Sequence, residues 1–511
     1  MNHDLDPRLI QALRQPDVYP ERSTAEDVDV CETHISWIFL CGEYAYKIKK
    51  PVRFDFLDFS TLELRRHFCD EELRINRRYA PDIYLEVVPI SGSRLHPRIG
   101  DDSAPFEYAV KMQRFPKDAL LSTMLEQGTL DPTHLDDLAR NLGRFHAEAA
   151  RLDPAARPAS ESEFPFGSPE LIRKNADENL TVLRDLLPDE DDDSLDSLQR
   201  WTDEEFNRLH DLFASRRESG FVRECHGDLH LRNLIEWNGR VIPFDGIEFN
   251  PGFRWIDIVS DAAFLAMDLD ERERPDLSRR FLSMYLESTG DYEGVPLWRW
   301  EMVYRALVRA KVAAIQAMQH VDRTEEADFS GARDGIAHAL RLGQPSPRRL
   351  WITHGFSGSG KTTGSMKWIE EFGAIRVRSD LERKRMFGLE ADESSSSATG
   401  EGIYTPDASA RTQDRLAECA RLILSENRAA LIDATFLKRK DRDRFRDLAK
   451  EMNAEFQILA FAAPEDTLRD RITTRSRTGR DASEADLSVL EWQLKNADPL
   501  GNDEPAIVVS R

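Results

Sequence analysis

Short apolar runs separated by polar turns mark the first part of the chain. Ile35 to Leu40 and Tyr44 to Ile48 flank Cys41-Gly42-Glu43, a pattern that predicts a β-hairpin. Ser60 to Tyr79 is rich in Leu, Arg and Glu and predicts a helix that stops before Pro81. Glu107 to Met112 reads as a strand, and helical patterns dominate from Leu135 to Arg151 and from Leu297 to Leu342. The rhythm then changes. Apolar strands at Leu350–Thr353, Ile375–Arg378, Ala430–Ile432 and Phe456–Phe461 alternate with helix-like segments, which predicts a parallel sheet. Between the two regimes lies Gly343-Gln344-Pro345-Ser346-Pro347. Proline cannot continue a helix, so the boundary falls here, giving domains 1–343 and 344–511. The acidic run Asp189 to Asp193, after Pro188, reads as a solvated loop, and Ser394 to Ser397 as a loop within the second domain.

Composition narrows the picture. A chain of 511 residues, 40% of them hydrophobic, has room for two or three domains with sizeable cores. No apolar run reaches the length of a membrane span, and Met1-Asn2-His3-Asp4-Leu5-Asp6 lacks the pattern of a signal peptide. The five cysteines are scattered without a C-x-x-C pair, which favours a reduced, cytoplasmic setting. The net charge of −23 leads us to expect no stable nucleic-acid partner and no membrane partner.

The strongest chemical signal is His354-Gly355-Phe356-Ser357-Gly358-Ser359-Gly360-Lys361-Thr362-Thr363, which fits G-x-x-x-x-G-K-[ST]. Glycines permit a tight loop whose N–H groups face phosphate oxygens. Lys361 can reach the β/γ-phosphates, and the Thr362 hydroxyl can bind Mg²⁺. A strand precedes this loop and a helix start follows it, the context such a loop requires. The whole stretch from Gly355 through Ser357, Gly358, Ser359, Gly360 and Lys361 to Thr363 is therefore a candidate ATP-binding element.

A second constellation lies upstream. Cys225-His226-Gly227-Asp228-Leu229-His230-Leu231-Arg232-Asn233-Leu234 is followed by Val241-Ile242-Pro243-Phe244-Asp245-Gly246-Ile247-Glu248. Phosphoryl transfer to a hydroxyl needs a carboxylate for the acceptor and hard oxygen ligands for Mg²⁺. Asp228 suits the first role, and Asn233 and Asp245 the second. H-G-D-x-H-x-x-N followed by F-D-x-I-E resembles the catalytic loop and metal-binding Asp of protein-kinase-like enzymes, in the aminoglycoside phosphotransferase branch. The resemblance implies a strand lysine for phosphates and a helix glutamate paired to it. Lys47 is the first choice, with Lys49 on the same strand face. Glu72 is the candidate partner, with Glu71 close behind. It further implies a hinge at Met112 to Phe115 and a loop-bracing aspartate at Asp257. His226 and His230 read as loop-bracing residues, with a general base as the alternative. One departure stands out: no Gly-rich loop precedes Lys47, only Gly42.

Around the phosphate loop, Asp380 follows a strand and could handle an acceptor hydroxyl, with Arg378 and Arg383 near an anionic substrate; a plain helix cap is the alternative for Asp380. Asp433 ends a strand, where phosphate-loop enzymes keep a Mg²⁺-associated acid. The segment Arg469 to Arg480 is strongly basic, and Arg471 and Arg475, four apart, suit a lid over phosphates; a solvated basic helix is the alternative. This set resembles small phosphate-loop kinases of the nucleotide-kinase, polynucleotide-kinase and zeta-toxin type.

Together the halves resemble a bacterial family of bifunctional aminoglycoside phosphotransferase-like, ATP-binding proteins with a C-terminal kinase, as do Glu32–Trp37 and Arg305–Lys311. The resemblance implies a protein-kinase-like α+β domain followed by a P-loop α/β domain. It implies an ATP- and Mg²⁺-dependent phosphotransferase with two nucleotide sites and a small-molecule or nucleotide-like acceptor. An ATP-sensing regulator without turnover in one half, a toxin-like kinase and an antibiotic-modifying enzyme are the rival expectations.

Overall fold

The computed structural model describes residues 6–20, 28–54, 57–153, 164–319, 327–391, 393, 395, 402–478 and 484–509, without the side chains of 475–478. The chain divides into two compact units. One holds residues 1–134, 149–171 and 213–261; the other holds 135–148, 172–212 and 262–511.

In the first unit, six antiparallel strands form a sheet in the order Asp29–Glu32, Ser36–Cys41, Tyr44–Lys49, Glu107–Gln113, Tyr84–Ser93 and His96–Ile99. The expected hairpin is present, with Ser36 opposite Lys49 and Cys41 opposite Tyr44. Because strand side chains alternate between faces, Tyr46 and Ile48 enter one core with Phe39, Val88 and Ile90. Ala45 enters the other, with Cys69, Ile83, Val110 and Met112, and Lys47 and Lys49 share the face of Ala45. The predicted helix spans Leu62–Asn76, capped by the Thr61 hydroxyl, which accepts the Leu64 N–H at 3.2 Å. Two small ladders, Val222–Glu224 with Trp255–Asp257 and Leu234–Trp237 with Arg240–Pro243, carry the loops bearing Asp228 and Asp245.

In the second unit, five parallel strands run in the order Ala374–Arg378, Ala429–Asp433, Arg349–His354, Glu455–Phe461 and Ala506–Val509. The four expected strands are all there, and Ala506–Val509 adds a fifth. Leu350, Ile352, Leu431, Ile432, Ile458 and Leu459 are buried in near-continuous runs, as strands covered on both faces must be. Parallel pairing puts every strand's C-terminal end on one side. The phosphate loop and Asp380 follow such ends, and Asp433 is the last residue of its strand.

The acidic run departs from expectation. Asp189–Asp191 forms a 3-10 turn, and Asp192 begins the helix Asp192–Glu218. Acids at a helix N-terminus complement its positive dipole end, so this charge cluster starts a helix where a solvated loop was expected. The Ser394–Ser397 patch lies outside the described residues except for Ser395.

Candidate nucleotide sites

Glu72 organises the first site. It is fully buried on the helix face, and each carboxylate oxygen meets one lysine: Lys47 Nζ at 2.8 Å from Oε1 and Lys49 Nζ at 2.7 Å from Oε2. The two lysines differ in their second partner. Lys47 pairs with Asp245, and Lys49 with Glu248. Glu71 turns instead to Arg74 at 2.9 Å and Arg254 at 3.3 Å. Burial opposes the charge on Lys47, but Asp245, Glu72 and Glu248 more than offset it and hold its pKa well above the usual lysine value. Burial likewise opposes ionisation of Glu72, and the two ammonium groups keep its carboxyl below the ordinary range.

The loop carrying Asp228 is braced from several sides. Gly227 has φ +86°, and a Cβ there would lie 2.7 Å from the Phe253 carbonyl oxygen, so only glycine fits. His226 is buried, which pushes its pKa down against the opposing pull of Asp261 and Asp228. Its Nε2 donates to the Phe244 carbonyl at 2.9 Å and Nδ1 accepts the Asp228 N–H at 3.3 Å, so it braces the loop. Asn233 Nδ2 donates to the Asp228 carboxylate at 2.9 Å and its carbonyl at 3.0 Å. The Asn233 carbonyl accepts the Phe244 N–H, one residue before Asp245. His230 Nε2 lies 3.3 Å from Asp228 Oδ2. Asp245 has φ +60°, rare for a residue with a side chain, and its N–H donates to the Tyr84 hydroxyl at 2.9 Å.

Asp257 does not hold the loop as expected. It pairs with Arg216 at 2.8 and 2.9 Å and accepts the Val259 N–H, capping the helix Ile258–Glu271. Asp261, one helical turn on, accepts the N–H groups of His226 at 3.0 Å and Gly227 at 2.8 Å. Nor does Gly42 lie in a phosphate-clamping loop. It forms the tight turn before the Lys47 strand, while Thr33–Ile35 links the two strands before that without a glycine. There the Ser36 N–H donates to the Thr33 hydroxyl.

The phosphate loop is packed at close quarters. A Cβ at Gly355 would lie 2.4 Å from the Phe461 carbonyl oxygen. Lys361 Nζ donates to the carbonyls of Gly355 at 3.0 Å and Phe356 at 2.9 Å, so its ammonium faces the loop interior. The Thr362 hydroxyl is 2.7 Å from Asp433 Oδ2, and Thr353 Oγ1 is 3.2 Å from Oδ1. Ser359 Oγ is buried with no hydrogen-bond partner among the described residues, and Thr363 is exposed. The hydroxyl–carboxylate pair fits a hard divalent cation, and the orphaned hydroxyl within a glycine-bearing loop fits a phosphate chain.

Asp380 sits in the first turn of the helix Ser379–Met386 and is gripped by Arg378 at 2.7 and 3.2 Å. Burial opposes its ionisation, but Arg378 outweighs this and holds its carboxyl below the usual value. Arg383 lies over the Tyr404 ring at 5.0 Å. On the helix Glu465–Thr478, Arg471 Nη1 donates to the Gly358 carbonyl at 3.1 Å. The side chain of Arg475 lies outside the described residues, as do Gly479 and Arg480.

Two stretches of the chain match known families. Residues 69–298 match the model of the phosphotransferase enzyme family, and residues 350–500 match an AAA domain. The chain joins a phosphotransferase-family domain to an AAA-type P-loop domain. It is similar to uncharacterized proteins of Mycobacterium tuberculosis (strain H37Rv) and Mycobacterium bovis, each 29% identical over 460 residues, 89% of this chain and 88% of the relative. Among solved structures it is similar to an ethanolamine kinase of Plasmodium vivax, with 13% identity, 64% of this chain and 85% of that one, and TM-score 0.38. A choline kinase of Cryptosporidium parvum gives 14% identity, 65% and 94%, and TM-score 0.38. An ADP-bound aminoglycoside phosphotransferase gives 15% identity, 66% and 97%, and TM-score 0.35.

Both domains hold site residues that the sequence reading left without a role. In the phosphotransferase domain these are Asp261 and Glu248, the latter the closing residue of F-D-x-I-E. In the P-loop domain it is Gln493. Buried on the helix Leu487–Asn496, it accepts the Ser357 N–H at 2.9 Å and donates to the Ser357 hydroxyl at 3.0 Å. The available signal was a glutamine three residues after Leu490, on the buried face of a helix.

Proposed function

We propose that the protein is an ATP- and Mg²⁺-dependent phosphotransferase with two nucleotide sites, acting on a hydroxyl of a small-molecule or nucleotide-like acceptor. The carrying observation is the meeting of Lys47, Glu72 and Asp245 from three distant stretches, beside a loop in which Asn233 holds the Asp228 carboxylate. Mg·ATP, when bound, supplies the transferable phosphoryl group and neutralises its charge. In the first site Lys47 holds phosphate oxygens, Asn233 and Asp245 hold the metal, and Asp228 orients the acceptor hydroxyl and takes its proton. In the P-loop site the Gly355–Thr363 loop and Lys361 hold phosphates, and Thr362 and Asp433 hold the metal. Asp380, kept ionised by Arg378, orients the acceptor, and Arg471, beside the Gly358 carbonyl, stabilises charge. A cytoplasmic setting belongs to this reading, and none of the five cysteines is in a disulfide.

The test is a mass-spectrometric phosphorylation screen of a metabolite extract with wild type, Lys361→Ala and Asp228→Asn. The reading expects a product that gains one phosphoryl group and disappears in at least one variant. A second reading rests on the Thr33–Ile35 turn, which lacks the glycines of a phosphate clamp. On it the first half senses ATP without turnover, and Asp228→Asn leaves all phosphoryl transfer intact.

A further inference from the structure

The strand Ala374–Arg378 is an edge of the parallel sheet, hydrogen-bonded on one side to Ala429–Asp433. An edge strand leaves main-chain groups without a ladder partner. At Arg376 those groups are met by the segment that follows residue 274, within the stretch matched by the phosphotransferase family. The Arg376 N–H donates to the Ser283 hydroxyl at 3.0 Å, and its carbonyl accepts from the Tyr292 hydroxyl at 3.0 Å. Ser283 lies on the helix Pro275–Thr289, and both partners are fully buried.

The Arg376 side chain extends this link into the nucleotide site. It is 2% exposed, and a guanidinium so deeply buried requires a paired charge. Glu287, 3% exposed and on the same helix as Ser283, supplies it, accepting from Nε at 2.6 Å and Nη2 at 3.2 Å. The remaining nitrogen, Nη1, donates to the Thr362 carbonyl at 2.6 Å and lies 3.3 Å from Ser365 Oγ. Thr362 is the residue whose hydroxyl faces Asp433. One planar guanidinium thus spans from a carboxylate of the phosphotransferase stretch to the backbone of the threonine whose hydroxyl meets Asp433. The same helix reaches the end of the helix Met366–Phe372, where Arg279 donates to the carbonyls of Glu370 at 3.1 Å and Glu371 at 2.9 Å.

We propose that Glu287 and Arg376 are positioning residues of the P-loop nucleotide site, so that a helix of the phosphotransferase stretch sets the geometry of Thr362. The P-loop domain is therefore incomplete without that helix. This rests on the reading of Lys361 and Thr362 as a Mg·nucleotide site, and the experiment separates the two. Lysine at position 376 keeps a charge facing Glu287 but has no fork to reach Thr362 as well.

Full-length wild type, Lys361→Ala, Glu287→Gln and Arg376→Lys are titrated calorimetrically with ADP, once with Mg²⁺ and once with a chelator. The component that Lys361→Ala removes is the P-loop site; what remains is an internal control for folding. The proposal expects Glu287→Gln and Arg376→Lys to weaken Mg·ADP binding in the P-loop component by about tenfold, the scale of a lost outer-shell contact to a metal site. ADP affinity in chelator changes less than about twofold, and the remaining component is unchanged. Should Glu287→Gln lose both components, as an unfolded chain would, Arg376→Lys decides. Wild-type Mg·ADP affinity in Arg376→Lys, or equal weakening with and without Mg²⁺, overturns the positioning role. Identical titrations of wild type and Lys361→Ala overturn the underlying P-loop reading instead.

Discussion

Glu72 stands between two buried ammonium groups, and its removal leaves both short of an acid. Breaking a buried pair in this way costs on the order of 3–5 kcal/mol. Glu72→Gln is accordingly expected to lower the denaturation midpoint of the full chain and to weaken nucleotide binding at the first site, both readable in one purified variant. At the phosphate loop the constraint is steric. A methyl group at Gly355 meets the Phe461 carbonyl oxygen at 2.4 Å, so Gly355→Ala must displace the loop or the strand behind it. Overpacking of this kind costs about 1–3 kcal/mol. The expected outcome is a lower melting temperature together with loss of the binding component that depends on Lys361. The glycine and lysine positions were legible in the sequence because their spacing is local. The choice between Lys47 and Lys49 was not, because their second partners, Asp245 and Glu248, lie almost 200 residues away in sequence.

At the scale of elements, local pattern carried the hairpin, the strand Glu107–Gln113, the helix Leu62–Asn76 and four strands of the parallel sheet, but not the strands Asp29–Glu32, Tyr84–Ser93 and His96–Ile99 or the helices Asp192–Glu218 and Pro275–Thr289. It also failed where a side chain's direction depended on a helical turn. The sequence points to Asp257 as the loop-bracing acid, yet Asp257 caps the helix start and Asp261, four residues on, turns back toward the loop. A spacing of four on a helix preserves the face while moving the contact by one turn. The two acids are thus separable. Asp261→Asn leaves one of two buried N–H groups poorly paired, costing about 1–3 kcal/mol, and lowers turnover at the first site by disturbing Asp228. Asp257→Asn instead weakens the Arg216 pair and the helix cap, and costs stability with a smaller effect on turnover. Comparing melting temperature and kcat in the two variants checks the assignment. The acidic run at Asp189–Asp193 failed for a related reason: charge alone does not separate a solvated loop from a helix start, where the same acids are favourable.

Acid stability is a property of the whole molecule with an identifiable contributor. Burial opposes ionisation of Glu224, but Arg74, Arg78 and Arg254 more than offset it and bring its pKa from an ordinary 4.5 down to about 2. A carboxylate held below its unfolded value stabilises the fold fully above that value and loses the contribution as pH falls through the folded one. The window therefore runs from about 4.5 to about 2. Thermal melts across it should fall more steeply for wild type than for Glu224→Gln, and the variant should be the less stable at neutral pH. The two-domain architecture was legible because each half carries its own periodicity. What joins a helix of the phosphotransferase stretch to the edge of the P-loop sheet was not, since Ser283, Glu287 and Tyr292 resemble any other residues of an ordinary helix and turn.

The proposed function requires two separate Mg·nucleotide sites in one chain. Its most direct test is a calorimetric titration of the full-length protein with a nonhydrolysable ATP analogue and Mg²⁺, repeated with Lys361→Ala and with Asp245→Asn. Two binding equivalents are expected in wild type and one in each variant, with the surviving site different in the two. A wild-type stoichiometry of zero or one, or two equivalents undiminished by either substitution, would contradict it.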